Sequence, residues 1–293
     1  MMMKAVFSML NGCLASLQAI LDDLKPSQQK VAEYILAHPE EVVTLSVQRL
    51  AKRSGVSEAT VVRLAQLLNF AGYQELKLRI AGDLTRSVAI GSYQEIMIGG
   101  SVESIVQAVS TNNIQSVQDT VSVLSVEEVK KAADALAAAR KIDVYGVGAS
   151  AVIASDLKQK LTRINMWCEA HSDFHAQLTS AVNLTKDDVA FGISYSGQTE
   201  DVIQSLSEAK QQGALIITLT KFGPSPVADL ADIRLHTSSV EKSIRSGAMA
   251  SRIAQLNVID ILFITIVSKL NEKVIPLLEK TRGAVSRRKR GTE

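Results

Sequence analysis

Asp187-Asp-Val-Ala-Phe-Gly-Ile-Ser-Tyr-Ser-Gly-Gln-Thr-Glu-Asp-Val-Ile-Gln-Ser-Leu206 passes from an apolar run through a turn of small alcohols into a helical pattern. Val189 to Ile193 carries no charge, the mark of a strand buried on both faces. Ser194, Ser196, Gly197 and Thr199 form the turn, and Glu200 opens a helix. The first turn of a helix has unpaired N–H groups and a dipole that favours negative charge, so hydroxyls placed there complete a seat for an anion. Gly197 lets the backbone approach a ligand closely or take a positive φ. The same residues also read as an ordinary capped helix, with Thr199 or Ser196 as N-cap and acids in the first turn.

Outward from this stretch the pattern repeats. Strands are predicted at 142–146, 165–169, 188–194, 214–220 and 232–236, with helices at 150–163, 173–182, 200–212, 225–230 and 248–270. Short apolar runs alternating with amphipathic helices imply a parallel five-stranded sheet flanked by helices. Ligands of such open sheets bind at the carboxyl ends of the strands. Ser150, following Gly146-Val147-Gly148-Ala149, and the turn 194–199 both fall there.

Three rival chemistries bear on this region. Gly146-x-Gly148-x-x-Ala151 fits a dinucleotide fingerprint, with Glu169 placed for a ribose contact, but that reading leaves the hydroxyl turn without a role. His171 and His175 stand four apart with Glu169 and Asp173 nearby, a spacing that suits zinc on one helical turn. No further cysteine or histidine cluster supports a metal, and a loop and helix start bordering a pocket is preferred, so no metal or cofactor is expected. Aldose–ketose exchange needs a tuned base, for which Glu169, His171 and Glu241 are conceivable, but nothing marks one of them. No catalytic residue is therefore assigned.

Upstream, residues 14–24 and 26–37 read as helices parted at Lys25-Pro26. Between Ser46 and Leu68, Ala51, Gly55 and Val61 have helix-turn-helix spacing: a small residue for close approach, a glycine for the turn, a branched residue for the core. Ser57 is the expected cap of the second helix, leaving Glu58, Ala59, Thr60 and Arg63 on an exposed face suited to a major groove. Thr60 and Arg63 are the candidates for base contacts, while Ser57 and Lys52 or Arg53 suit phosphates. From 44 to 86, seven bases face three acids, a local excess of +4. Residues 84 to 101 change character, with Ser87, Gly91, Ser92, Gly99, Gly100 and Ser101 marking a linker. Helices at 102–117 and 126–139 lead into the second domain.

A chain of 293 residues, 46% apolar and 21% charged with net charge +2, is of globular composition and shows no overall preference for polyanions. Scarce aromatics argue against a carbohydrate-stacking lectin or a single-strand nucleic-acid platform. Cys13 and Cys168 give no disulfide framework and fit a reducing cytoplasm. No apolar run is expected to span a membrane; Ile259 to Val267 comes closest. Met1 to Leu10 reads as part of an amphipathic first helix, and Arg287 to Arg290 as a basic, solvated tail.

Ser194-Tyr-Ser-Gly-Gln-Thr-Glu200 resembles the Ser-x-Ser-Gly-x-Thr turn of sugar isomerase (SIS) domains, and Gly146-Val-Gly-Ala-Ser150 resembles their first loop. With the helix-turn-helix and the glycine–aromatic turn at Phe70-Ala-Gly-Tyr73, nearly the whole chain, roughly residues 20–270, resembles the RpiR/MurR family of bacterial transcriptional regulators. The resemblance implies a helix-turn-helix DNA-binding domain (1–84), a linker (85–101), an SIS sugar-phosphate-binding domain (102–280) and a basic tail (281–293). It further implies a hexose or amino-sugar 6-phosphate effector held by Ser194, Ser196, Gly197 and Thr199 with Ser150 opposite, and with Glu241, Arg245 and Ser246 beside it; His171 borders this pocket as either a hydroxyl-binding or a purely structural histidine. Expected partners are a double-stranded operator and further copies of the chain in a homodimer or homotetramer, without a membrane. The genes controlled are expected to serve sugar or amino-sugar catabolism, often under a repressor.

Overall fold

The computed structural model describes residues 13–68, 70–86, 93, 94, 96, 99–239 and 248–290. They form two compact units, one of the described residues up to Ser125 with His236–Ala254, the other of Val126–Leu235 with those from Gln255 onward. The reading of Met1 to Leu10 lies outside the described residues.

The first unit is helical: α1 (Cys13–Ile20), α2 (Pro26–Ala37), α3 (Pro39–Val42), α4 (Val47–Arg53), α5 (Glu58–Leu67), α6 (Tyr73–Arg86) and α7 (Val102–Val123). Pro26 sits in the first turn of α2, where its missing N–H costs nothing. Val31, Ile35, Leu50, Val61, Leu64, Leu76 and Ile80 are fully buried, the apolar stripes of α2, α4, α5 and α6 converging on one core. The end of α6 nearest this core ties down the chain before α4. Tyr73 Oη lies 3.0 Å from the Leu45 carbonyl oxygen and 3.3 Å from that of Val42, and Lys77 Nζ donates to Leu45 at 3.0 Å. Burial pushes the Tyr73 phenol up to about 12.

Helix α7 runs six residues past its predicted end. Its polar residues look like a helix giving way to loop, but Ser116 and Thr120 are fully buried. Thr120 exchanges two hydrogen bonds of 3.0 Å with the backbone of Ser238, and Ser116 Oγ lies 2.8 Å from the Asn113 carbonyl oxygen and 3.2 Å from that of Ala250, sharing its one proton between them. In the stretch read as linker, Tyr93 Oη donates to Asp119 at 2.9 Å, and the Gln94 backbone pairs with the Asn112 amide at 2.8 and 2.9 Å.

From Val126 the chain runs α8 (Val126–Ala138), β1 (Ile142–Tyr145), α9 (Ala149–Thr162), β2 (Cys168–His171), α10 (Phe174–Ala181), β3 (Val189–Ile193), α11 (Glu200–Gln211), β4 (Leu215–Lys221), α12 (Pro226–Asp229), β5 (Ile233–Thr237), α13 (Met249–Leu270) and α14 (Ile275–Arg290). The five strands form one parallel sheet in the order β2-β1-β3-β4-β5. Tyr145 is paired with His171 on one side and Gly192 on the other, which fixes the ends of β2, β1 and β3 level with each other. Tyr145, Ala190 and Ile216 pack with Ala181, Val202, Leu206 and Val227, so α10, α11 and α12 share one face. Right-handed crossovers put α9, which leads the chain the other way, on the opposite face.

The predicted strands and helices stand, with β2 shifted three residues later. Asn165 takes φ 60°, and Met166 N–H closes the end of α9 on Leu161 at 3.1 Å, so Ile164 belongs to the helix end and is buried there. The helix α14 continues to Arg290, through the stretch read as a tail; the side chains of 287–290 lie outside what is described.

One expectation needs correction. Met249–Lys273 is long and apolar enough, by length and composition, to cross a membrane, with a mean hydropathy of 1.7. It nevertheless carries charged residues paired with the rest of the sheet unit and buries one side against it. Asp260 pairs with Lys160 at 3.0 Å, Lys269 pairs with Asp134, and Val258, Ile259, Leu262 and Ile266 are fully buried.

Candidate functional site

Strand order locates a crevice before any side chain is considered. From β1 the chain departs through α9 toward β2, and from β3 it departs through α11 toward β4, so the two loops part above adjacent strands. This topological switch point is where open parallel sheets receive ligands. The loops are 146–149 and 194–199, and His171 ends the neighbouring strand β2. The structure thus brings Ser150, His171, Ser194, Ser196, Gly197 and Thr199 to the carboxyl edge of three adjacent strands. Glu241, Arg245 and Ser246 lie outside the described residues.

The 194–199 turn is built around a glycine. Gly197 has φ 67°, and a Cβ there would meet Ser225 Oγ at 2.2 Å and its Cβ at 2.4 Å. Its N–H donates to Ser194 Oγ at 3.1 Å, while its carbonyl accepts from Val227 N–H at 3.1 Å. Ser194 is buried, and its hydroxyl lies 2.8 Å from that of Thr199. The two alcohols share one hydrogen bond and own two protons, so one proton is left over from the pair. Ser196 is exposed; its oxygen accepts from Gln198 N–H at 3.2 Å, which leaves its proton free as well.

Thr199 is the N-cap of α11 by position, yet its side chain makes no capping bond. The N–H groups of Glu200 and Asp201 have no partner among the described residues. Gly148, the N-cap of α9, has no side chain to cap with, and Gly146 lies so close to α9 that a Cβ would stand 2.9 Å from the Ser150 carbonyl oxygen. Ser150 is half-buried in the first turn of α9. By contrast α10 and α12 are capped by Asp173 and Ser225. Among the four helices that follow β1 to β4, the two without a side-chain cap are the pair that flank the crevice.

The rival chemistries find little support in the geometry. Glu169 is paired with Lys158 at 2.6 Å. His171 ends a strand while His175 lies on α10, so the two do not share the helical turn a zinc pair needs. Two buried residues that sequence reasoning passed over underlie the site. Asp143 sits in β1 below Tyr145, and Gln177 of α10 donates to the His171 carbonyl at 2.9 Å and accepts from Ser205 of α11 at 3.1 Å. Polar residues inside apolar elements were the available signal.

The helix-turn-helix is equally explicit. The end of α4 is closed by Val56 N–H on Ala51 at 2.9 Å and Gly55 N–H on Lys52 at 3.3 Å, with Gly55 at φ 65°. This double closure needs a left-handed residue at that position. Ser57 then caps α5, its oxygen accepting from Thr60 N–H at 3.3 Å. Here the sequence reading is corrected: Thr60 is buried, 8% exposed, with its hydroxyl 3.0 Å from that of Ser57. As the third residue of the helix it turns back onto the cap and away from the open face. Glu58, Ala59 and Arg63 are exposed as expected, and Gln66 extends their face by helical spacing. Lys52 is exposed. Arg53 is half-exposed and engaged: it pairs with Glu41 and donates to Tyr34 Oη at 3.0 Å.

Residues 11–87 match the helix-turn-helix domain of the rpiR family, and residues 135–265 match the SIS domain. A helical DNA-reading unit joined to such a sheet defines a transcriptional regulator with helix-turn-helix and SIS domains. The chain is 47% identical over 279 residues to an uncharacterised HTH-type transcriptional regulator of Caldanaerobacter subterraneus subsp. tengcongensis, covering 94% of this chain and 98% of that relative. It is 37% identical over 278 residues to another from Bacillus subtilis, covering 94% and 98%. The chain belongs to the RpiR family of transcriptional regulators. Among solved structures, the Vibrio vulnificus NanR protein complexed with ManNAc-6P is similar with a TM-score of 0.59 and 25% identity, across 94% of this chain and 98% of that one.

Proposed function

We propose that the SIS domain senses a hexose or amino-sugar 6-phosphate and that its occupancy sets the affinity of the helix-turn-helix for a double-stranded operator of sugar or amino-sugar catabolism genes. The observation that carries this reading is the pair of uncapped helices, α9 and α11, meeting at the switch point. Open N–H groups and the protons of Ser194 or Thr199, of Ser196 and of Ser150 supply donors for three phosphoryl oxygens, with no need for a lysine. Against them stand Glu200 and Asp201 in the first turn of α11, which favour a ligand whose sugar is held as firmly as its phosphate. The similar Vibrio protein, complexed with ManNAc-6P, supports a phosphosugar.

On the DNA side, Ala59, Arg63 and Gln66 face bases, while Lys52, Ser57 and Glu58 lie along the flank and Arg53 reaches a phosphate on leaving Glu41. A single recognition helix gives little affinity, so a homodimer or homotetramer reading a palindrome is the expected assembly. The sign of regulation follows from which arrangement the effector prefers. The protein works as a binder and not as an isomerase, the role its attached helix-turn-helix favours. A reducing cytoplasm suits Cys13 and Cys168, buried free thiols whose burial pushes them up, away from the reactive thiolate.

The test is a thermal-shift screen of sugar 6-phosphates, followed by operator-binding titrations with and without the best compound. Stabilisation with no product formed, and a changed operator affinity, are expected. Turnover of the sugar phosphate, or no shift with any compound, would remove the sensing role.

A further inference from the structure

Beneath the proposed effector site lies a charge that an all-parallel sheet has no structural need for. Asp143, at the centre of β1, is fully buried. A carboxylate taken out of water survives only with partners. The Ser180 hydroxyl of α10 donates to its Oδ2, and the Tyr145 hydroxyl reaches the same oxygen at 3.3 Å. On the other side, Lys141 Nζ stands 3.0 Å from Oδ1, anchored by Ser180 Oγ at 2.9 Å and lying over the Trp167 ring at 5.7 Å. Burial alone would raise this carboxyl, but the nearby His171, the Ser180 hydroxyl and the Lys141 ammonium hold it below the ordinary carboxylate range.

His171 completes the arrangement. Its Nε2 faces Asp143 Oδ1 at 3.8 Å. Both atoms are buried, and neither has a properly aligned hydrogen bond, the Lys141 contact being an ion pair outside bonding alignment. A ring shift of roughly 0.8 Å closes the pair to hydrogen-bond length. The backbone of His171 is meanwhile held by Gln177, whose other end is held by Ser205 of α11, so the ring's position is tied to the helix that bears the phosphate turn.

We infer that Asp143 is a positioning residue of the effector site, holding the His171 imidazole with Nε2–H turned inward so that Nδ1 accepts a hydrogen bond from the sugar. The step is one of proton bookkeeping: a carboxylate can only accept, so Nε2 carries a ring proton, and in the singly protonated ring that the inference assigns the lone pair is on Nδ1. A sugar hydroxyl or an amino-sugar N–H is the group that matches it; a fully ionised phosphate is not. The inference rests on the phosphosugar reading and adds which part of the ligand His171 contacts.

Long-range 1H–15N spectra of the full-length protein, with the His171 ring assigned from His171→Gln, should show the Nε2–H tautomer in the free state. The Nδ1–H tautomer would overturn the inference, whatever ligand the protein takes. Next, wild type and Asp143→Asn are titrated with glucose, fructose, glucosamine and N-acetylmannosamine 6-phosphates and with inorganic phosphate. The variant should lose roughly tenfold in affinity for the tightest sugar phosphate, about the worth of one hydrogen bond. Its affinity for inorganic phosphate should stay within twofold, which also shows that the turn is intact. Equal losses for both, or none for either, would contradict a positioning role. If Asp143→Asn does not fold, His171→Phe, which leaves Asp143 paired with Lys141, must show the same sugar-selective loss. A wild type that binds none of the five compounds would defeat the phosphosugar reading, and the tautomer would still judge the Asp143–His171 pair.

Discussion

Two helices in this protein start after a turn rich in serine and threonine, and they start in opposite ways. At α5, Ser57 spends its oxygen on the helix's own N–H, and Thr60 turns back to join it. At α11, Thr199 turns away from the helix toward Ser194, and the first N–H groups stay open. Both helices leave their first two N–H groups without a partner among the described residues, so the difference lies in the side chain. At α5 the cap oxygen covers the helix end and side chains are left to meet a partner, as in a recognition helix; at α11 the hydroxyl is turned aside and the backbone donors are left uncovered, as in an anion seat. Capping chemistry therefore separates the two functions more sharply than composition, since both turns contain the same residue types.

Four measurements press on this contrast. The largest effect is expected from Gly197→Ala, where the positive φ and the collision with Ser225 together cost on the order of 3 kcal/mol. Denaturant unfolding of the sheet unit should register the loss, and a near-neutral result would mean the turn is looser than its contacts indicate. Next, Arg63→Ala should weaken operator binding by about 1–3 kcal/mol and relax specificity at one position, without moving the melting temperature. Thr60→Ala should instead act on stability, reversing the role its sequence position suggests.

The third comparison is the most direct. Ser57→Ala should destabilise the helical unit by about 1 kcal/mol through the lost cap. Thr199→Ala should cost less than about 1 kcal/mol, because no cap is lost, yet it should weaken the best sugar 6-phosphate by roughly tenfold. Isothermal titration and thermal melts on the two variants would invert the contrast if both behaved as plain caps.

The smallest effect concerns acid. Burial would raise Asp188, but bonds from Arg140 and Thr185 hold it low, as Asp143 is held low by its own partners. Carboxylates with depressed folded values lend stability above their unfolded value of about 4 and lose it as pH falls through the lower folded values. The sheet unit should therefore weaken below about pH 4, and Asp188→Asn should flatten that slope in acid titrations followed by circular dichroism.

Much of the fold was legible because periodicity reports it. Strands β1, β3, β4 and β5 and their helices fall within a residue or two of their apolar runs. The exceptions share a cause, namely tertiary contacts overriding local pattern. Ile164 looks like the start of a strand and is claimed by the end of α9; Ser116 and Thr120 look like a helix ending and are buried against the Ser238 and Ala250 backbone. The serine–threonine turn and Ser150 stood out in the chain because glycine and hydroxyls punctuate it. Thr60 did not read correctly, since spacing identifies a helical face but not a rotamer folded onto the cap. Asp143 and Gln177 were passed over for a related reason: a polar residue inside a strand or helix is a faint signal that becomes decisive only once its burial is known.

The single tryptophan, Trp167, half-exposed just before β2 and flanked by Arg140 and Lys141, gives the molecule a built-in optical reporter. Lys141 touches both this indole and the Asp143 carboxylate, so any rearrangement around His171 that shifts the ammonium should alter the indole's emission. Occupancy of the crevice can thus be followed in unlabelled protein, by the colour and intensity of one fluorophore seated at the far end of the same strand pair.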